Sequence, residues 1–473
     1  MTVLLNRAKL SGMFQARFQH APTAIFRGPS RVNTIGEHVD YSSEFRPGQN
    51  DGHAYALPFA LPYSVWVSAR QAEGRKVRVH SENFGGSFEF DPREMPAVKS
   101  ANSWENYVLG GFAAAHNEGL PVDGGAEIHI YGDVPIGAGL SSSAGLCVGL
   151  DLALDRLFSW NRTKIQIAQL AQGAEHSSYV NVPCGLLDQM ASLFGQKDHA
   201  MKVDFGNMSE VEQVGLSALT GQGYKFLLIN SGVERFLGGT YYGDRKRELV
   251  KAGTILSRVF GDERQFVAQF VLKELEEKTM AHFFRNIRMS DMPRALQDKK
   301  TPLIAFSDTL YARARYVLAE NERTLRFYAA LKGSETMEPH MVPSICCGLL
   351  NETGLGLSGE GDFNISATVI RNEDGTVKEE RPFMDILRGI VTDVINQSKI
   401  RGQMQMPFGI RLMGGGGGGN FIVLLPQEYD TPSMRNEIER RYLEAQQNAK
   451  YGTSYKTTFI DAEPSDGAGE VLN

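Results

Sequence analysis

Arg31-Val-Asn-Thr-Ile-Gly-Glu-His-Val-Asp-Tyr41 is the most telling stretch of this chain. It packs Arg31, Asn33, Glu37, His38, Asp40 and Tyr41 into eleven residues, just after the short apolar segment Ala24-Ile25-Phe26. A core strand is not expected to carry so many polar groups, and a solvated loop has little use for the embedded Val32 and Ile35. Such density suits a site that must satisfy several hydroxyls of a small polyol at once. A polar loop with a chance cluster of charges is the competing reading.

The rest of the chain sets the frame for that site. At 473 residues it exceeds one ordinary core, so two domains are expected, 1–205 and 206–473. A composition of 42% hydrophobic and 22% charged residues excludes a disordered or fibrous class. The net charge of −6 is modest and no long Lys/Arg block appears, so nothing points to nucleic acid. Asn6, Arg7, Lys9 and Arg17 break up the first nineteen residues, so neither a signal peptide nor a membrane anchor is expected there. Cys147, Cys184, Cys346 and Cys347 lack zinc-site spacing and read as reduced thiols of a cytoplasmic protein.

Residues 126–131 alternate like a half-buried strand, and the stripe Leu146, Leu150, Leu154, Leu157 predicts a helix. Further helices are expected over 164–178, after Pro183-Cys184-Gly185, and near 433–447. Strands are expected at 225–230, 421–425 and 457–461. From 243 to 333 the pattern is helical and charge-rich, and 358–382, with a turn at Asn372-Glu-Asp-Gly375, reads as a hairpin or surface insertion. Strands and helices mix without regular βαβ alternation, so the expected class is α+β.

Four features carry chemistry. Gly137 and Gly139 precede Ser141, Ser142 and Ser143 at a helix start, where backbone N–H groups and the helix dipole favour a phosphate. Ser143 or Ser142 is also placed to ligate magnesium; a plain serine N-cap is the alternative. Neither a Walker loop nor a dinucleotide fingerprint is present. Glu175 falls on the apolar face with Ile167 and Ala171, and a buried carboxylate needs a counter-charge or a metal such as magnesium. An Arg partner or an exposed position at the helix end would serve as well. Asp188, in the first turn of its helix among Leu186, Leu187 and Met190, is a candidate base if it faces a cation such as Arg31. The six glycines 414–419 sit inside a structured region, which fits backbone packed against a loop or ligand better than a tether.

Together these residues resemble the galactokinase family, within the kinase superfamily that also holds homoserine, mevalonate and phosphomevalonate kinases. Arg31–Tyr41 is similar to the sugar-kinase signature, Pro135–Ala144 to the nucleotide-phosphate loop, and Ile410–Val423 to the glycine-rich third motif. Trp104-Glu-Asn-Tyr-Val108, Cys184-Gly-Leu-Leu-Asp-Gln189, Asn230-Ser231 with Tyr242, and Pro464-Ser-Asp-Gly-Ala468 extend the likeness. The resemblance implies a two-lobed fold of the GHMP-kinase kind with its active site in the cleft between the lobes. It implies Asp188 and Arg31 as the catalytic pair. Glu37, His38, Asp40, Gly185 and Tyr242 would bind the sugar, Ser143 and Glu175 would face magnesium, and Trp104 would line the adenine pocket.

The implied activity is ATP-dependent phosphorylation of the anomeric hydroxyl of D-galactose by a monomer. N-acetylgalactosamine, L-arabinose and a non-catalytic sugar and ATP sensor are the alternatives. Glu37 argues against uronic acids, whose carboxylate it would repel. Three departures stand out: Ser30 replaces the usual Gly before the Arg, the segment 41–52 is several residues longer, and Asn351–Ser358 is atypical.

Overall fold

A computed structural model of the protein describes residues 5–40, 54–101, 103–135, 138–182, 184–205, 211–233, 243–245, 247–249, 308–333, 337–371, 377–398, 406–449 and 454–472. Helix α1 (Arg7–Phe18) opens it, with Asn6 capping the Lys9 N–H. The strands β1 (Ala24–Asn33), β2 (Tyr55–Ala56), β3 (Pro58–Ala72), β4 (Val77–Ser81) and β5 (Gly86–Phe90) follow. Next come α2 (Ser103–Asn117), β6 (Gly125–Gly132), α3 (Ser142–Phe158), α4 (Lys164–His176), α5 (Leu187–Phe194), β7 (His199–Asp204), β8 (Val211–Gly215) and β9 (Tyr224–Asn230). The second half adds α6 (Asp308–Lys332), α7 (Val342–Leu357), β10 (Thr368–Arg371), β11 (Val377–Arg381), α8 (Phe383–Gln397), β12 (Gly409–Leu412), β13 (Asn420–Pro426), α9 (Pro432–Asn448), β14 (Thr458–Asp461) and β15 (Gly469–Glu470).

A six-stranded sheet has the order β15-β1-β3-β6-β4-β5. It is antiparallel except where β4 runs beside β6. One face packs on α2 and α3 through Val67, Ile128, Ile130, Phe112, Leu150 and Leu154; the other meets α1 through Ile25, Trp66 and Leu10. That two-sided cover explains why β1 and β3 are nearly continuous in burial instead of alternating. A second sheet, β12-β13-β9-β14, is entirely antiparallel, and β13 is buried along its whole length. The mixture is α+β, as the lack of βαβ alternation predicted.

Two features aim the site. Gly28 on β1 and Gly145 on α3 touch so closely that a Cβ on Gly28 would lie 1.9 Å from the Gly145 carbonyl oxygen. Missing side chains here let the N-terminus of α3 settle beside Arg31. The second is an irregularity of β1 between Pro29 and Arg31. The buried Ser30 hydroxyl there donates to the Tyr63 carbonyl at 2.8 Å, so the serine that departs from the family pattern is bonded within the sheet.

One expectation fails. Arg31 and Asn33 lie inside strand β1, and both are buried, although so polar a run was not expected of a core strand. The Arg31 guanidinium and the Asn33 amide nitrogen have partners inside the fold, which lowers the cost that argued against it, although the Asn33 Oδ1 has none among the described residues. The hairpin expected within 358–382 is β10-β11; its turn, 372–376, lies outside the described residues. So does most of the charge-rich stretch 243–333, of which α6 is the longest described helical piece.

Candidate active site

A cavity of about 580 Å³ gathers the polar residues of the first half. Arg31, Glu37, His38, Asp40, Gly185 and Asp188 line it, together with Trp104, Gly139, Ser141, Ser142, Ser143 and Glu175, and Gly414 and Gly415 of the glycine run also face it. Gly137, Tyr242 and the long segment 42–52 lie outside the described residues.

Arg31 and Asp188 form the core of this arrangement. The Arg31 Nε donates to Asp188 Oδ1 at 2.6 Å and Nη2 to Oδ2 at 3.0 Å, a bidentate fork. A third donor, Nη1, reaches the Gly139 carbonyl at 3.3 Å, tying the pair to the serine loop. Burial opposes the charge on Arg31, but Asp188, Glu37 and Asp40 outweigh it and hold the guanidinium above its usual range. Asp188 keeps 26% of its side chain exposed, so the carboxylate faces the cavity while the guanidinium behind it is sealed.

Ser141 does not act as a plain N-cap. It precedes α3 in the left-handed region, at φ 57°, and its side chain makes no capping bond. The hydroxyl donates instead to Asp188 Oδ2. Ser142 and Ser143 start the helix, with their backbone N–H groups at its positive end. The Ser143 hydroxyl reaches the carboxylate of Glu175, which is buried and takes further bonds from Gln189 Nε2 at 2.6 Å and the Cys184 thiol at 3.1 Å. Burial, helped by Asp188, pushes the Glu175 carboxyl up, and Cys184, Ser143 and Arg31 offset that only in part. The carboxylate therefore lacks a full counter-charge, and with the Ser143 hydroxyl it supplies the oxygen donors a magnesium ion accepts.

Glu37 is tied into the fold from three directions. Asn33 Nδ2 donates to it at 3.0 Å, the Gly414 N–H at 2.8 Å, and Arg411 lies 3.6 Å away. Burial would raise its carboxyl, but Arg411, His38, Asn33 and Gly414 carry it below the usual range, so it is ionised at neutral pH. His38 adopts φ 63° and packs its ring on Phe363, 4.6 Å between centroids. The Asp40 carboxylate lies against the Gly185 backbone, where an added Cβ would meet its Oδ2 at 2.0 Å. Trp104, also on the cavity wall, is stacked with the exposed Phe84 and edge-on to Phe88.

The glycine run is packed, as its setting implied. Gly416 has φ +78°, and a Cβ there would sit 1.9 Å from the Ile365 carbonyl oxygen. The Gly417 N–H donates to that oxygen at 2.9 Å, and the Gly417 carbonyl accepts from the Thr368 hydroxyl at 2.6 Å. No side chain fits between these segments.

Two residues absent from the sequence reading hold the signature loop. Glu320 on α6, fully buried, accepts from the Gly36 N–H at 2.8 Å and the Glu37 N–H at 3.1 Å through one oxygen. Through the other it accepts from Thr353 at 2.7 Å and Arg323 at 2.9 Å. Arg411 on β12, also fully buried, donates to the carbonyls of Thr34, at 2.7 Å, and Asn33. Thr353 places the atypical segment Asn351–Ser358, most of it the end of α7, behind the loop it helps to brace.

Comparison with known proteins bears on this geometry directly. The N-terminal domain model of GHMP kinases matches residues 106–196, and the galactokinase galactose-binding signature matches residues 13–71. The galactokinase of Thermotoga maritima is 34% identical over 306 residues, which cover 65% of this chain and 71% of that one; the galactokinase of Thermotoga petrophila gives the same figures. The crystal structure of Lactococcus lactis galactokinase complexed with galactose superposes with a TM-score of 0.71 at 25% identity, over 98% of this chain and 99% of that one. Both signatures fall on the strands, loops and helices that build the cavity, and with a relative this similar over most of its length, the chain belongs to the galactokinase family.

Proposed function

We propose that this protein is an ATP-dependent sugar-1-kinase that phosphorylates the anomeric hydroxyl of D-galactose, giving galactose 1-phosphate and ADP. The observation that carries the chemistry is the Arg31–Asp188 fork in the cavity wall, bonded to a serine-led helix start. Phosphoryl transfer asks chiefly for positioning and for neutralised charge, and this arrangement supplies both. The Asp188 carboxylate orients the attacking hydroxyl and takes its proton as the bond to phosphorus forms. Arg31 and Ser141 clamp it in one orientation at the cavity wall. Arg31 keeps that carboxylate ionised and offsets charge as the phosphoryl group passes.

In this reading the N–H groups at Ser142 and Ser143 hold the ATP phosphates. Ser143 and Glu175 hold magnesium, which supplies charge neutralisation on those phosphates when bound. Trp104 and Phe84 provide an aromatic wall for the adenine. Glu37, His38, Asp40, the Gly185 backbone and Tyr242 form the sugar subsite. The ionised Glu37 favours a neutral sugar over a uronic acid. We take the lobes to divide near residue 205, with the cavity as the cleft between them. Three fully buried, unpaired cysteines, Cys147, Cys346 and Cys347, support a reducing compartment, the cytoplasm. Among the described residues no helix is long and apolar enough to cross a membrane.

The test is ADP release with ATP and magnesium over galactose, N-acetylgalactosamine, arabinose and galacturonate, with Asp188→Asn in parallel. Galactose turnover in the parent, lost by at least about a hundredfold in kcat for the variant, is expected. Preferred turnover of another sugar, or an Asp188→Asn variant near full activity, would overturn the reading.

A further inference from the structure

The face of the six-stranded sheet that looks toward α1 carries a second cluster of ligating side chains. His129 alternates along β6 with Ile128 and Ile130, which face α2 and α3, so its ring points the other way. Its neighbour in register on the parallel strand β4 is His80, and the two rings lie 5.6 Å apart. Glu82, one residue beyond β4, completes the group. His129 Nε2 lies 3.2 Å, and His80 Nε2 3.6 Å, from the same carboxylate oxygen, Glu82 Oε2.

Those separations have a chemical meaning. Ligand atoms at 2.0–2.1 Å around a tetrahedral zinc ion stand about 3.3 Å from one another. Two of the three edges are thus already close to that length, and all three ligand atoms lie within 4.8 Å of one another, with both imidazoles on paired strands. His80 is also oriented from behind, its Nδ1 bonded to the Ser87 hydroxyl at 2.7 Å, which is the usual outer support of a ligating imidazole. His129 is 1% exposed, and its Nδ1 has no hydrogen-bond partner among the described residues. Its Nε2, the nitrogen that faces Glu82, is the one a metal would take, and among the described residues nothing competes for it beyond that carboxylate and His80. Glu82 is 46% exposed in its side chain, which leaves the fourth position open to water.

We propose that His80, Glu82 and His129 form a binding site for a divalent transition-metal ion on the side of the sheet away from the catalytic cavity. Two imidazoles and one carboxylate favour zinc and its neighbours over magnesium or calcium. Arg17, which donates to Ser87 at 2.7 Å, faces the cluster and weakens the site by its charge. The site also has a use. Glu82 starts the turn between β4 and β5, and its neighbours Ser81, Asn83 and Phe84 line the catalytic cavity. A metal that ties Glu82 to the sheet holds this turn, and with it the wall against which Phe84 stacks on Trp104.

The test is zinc binding to the full chain by calorimetry, with X-ray absorption of the loaded protein. The variants are Glu82→Gln, His80→Gln and their double, with Arg17→Gln beside them and circular dichroism to show that each folds. The parent is expected to bind one zinc equivalent more than the double variant, through nitrogen and oxygen ligands with imidazole scattering. Each single variant should weaken that equivalent by at least about tenfold, and Arg17→Gln should tighten it. Equal stoichiometry and affinity in the parent and the folded double variant would overturn the proposal. A loaded spectrum without imidazole would do the same.

Discussion

Glu320→Gln is the substitution that most directly tests how the signature loop is held. The parent carboxylate serves four donors with two oxygens: the Gly36 and Glu37 N–H groups on one side, Thr353 and Arg323 on the other. A glutamine fills the same volume but accepts on one side only. Whichever way it turns, its amide N–H₂ faces donors. A hydrogen bond to a charged group contributes about 1.5–3 kcal/mol, and breaking a buried pair while leaving its cation behind costs about 3–5 kcal/mol. Arg323 is that cation, with only 11% of its side chain exposed. The expected loss is therefore about 3–5 kcal/mol in urea unfolding at pH 7, seen as a lower midpoint with an unchanged slope. Because the loosened N–H groups belong to Gly36 and Glu37, KM for galactose should rise more than kcat falls. A loss below about 1 kcal/mol would refute the argument, since the loop would then have to be held by something else.

Three further substitutions probe other parts of the molecule. Gly416→Ala places a methyl group onto the Ile365 carbonyl at a positive φ, so the variant should lose at least about 2 kcal/mol of stability; an unchanged melting temperature would show that the run adapts. Burial pushes the Asp151 carboxyl, which lacks a hydrogen-bond partner among the described residues, well above its ordinary 3.8. A raised carboxyl contributes stability that is present below the unfolded value and lost as pH climbs through the folded one. Asp151→Asn should therefore gain on the parent in unfolding free energy from pH 5 to pH 8, and a flat difference would refute this. Glu175 follows the same sign, so Glu175→Gln should melt higher than the parent at pH 8 without ligands while its kinase rate collapses; retained activity would remove Glu175 from the metal site.

Local patterns were legible wherever one face of an element decides its burial. The leucine stripe from Leu146 fixed α3, the alternation at 126–131 gave β6, and the turn residues at 372–375 marked the β10-β11 hairpin. Apolar neighbours at i−4 and i−8 exposed Glu175 as a carboxylate on the wrong face, and it is buried. The same argument applied to α6 would have found Glu320, one turn beyond Tyr316 and one before Thr324, all three buried. Arg411, a lone charge within the apolar run Phe408–Met413, was a comparable signal. What no local pattern carries is the partner. Glu320 meets Gly36 across 284 positions, and Arg411 meets Asn33 across 378. A long-range pairing of that kind also explains the misreading of Arg31, whose partner Asp188 lies 157 positions on, whereas the Asn33 amide bonds locally to Gly36 and Glu37.

The bond from Gly414 to Glu37 spans 377 positions, and that distance is also a delay. On a ribosome adding ~5–20 residues per second, Glu37 emerges roughly 20–75 s before the backbone amide that will hold it. Until then the signature loop has neither Arg411 nor Gly414, and its carboxylate stays in water. The signature loop of a nascent chain therefore cannot take its final bonding early, however well its first sheet has formed. The loop's final bonding is thus one of the last things synthesis allows.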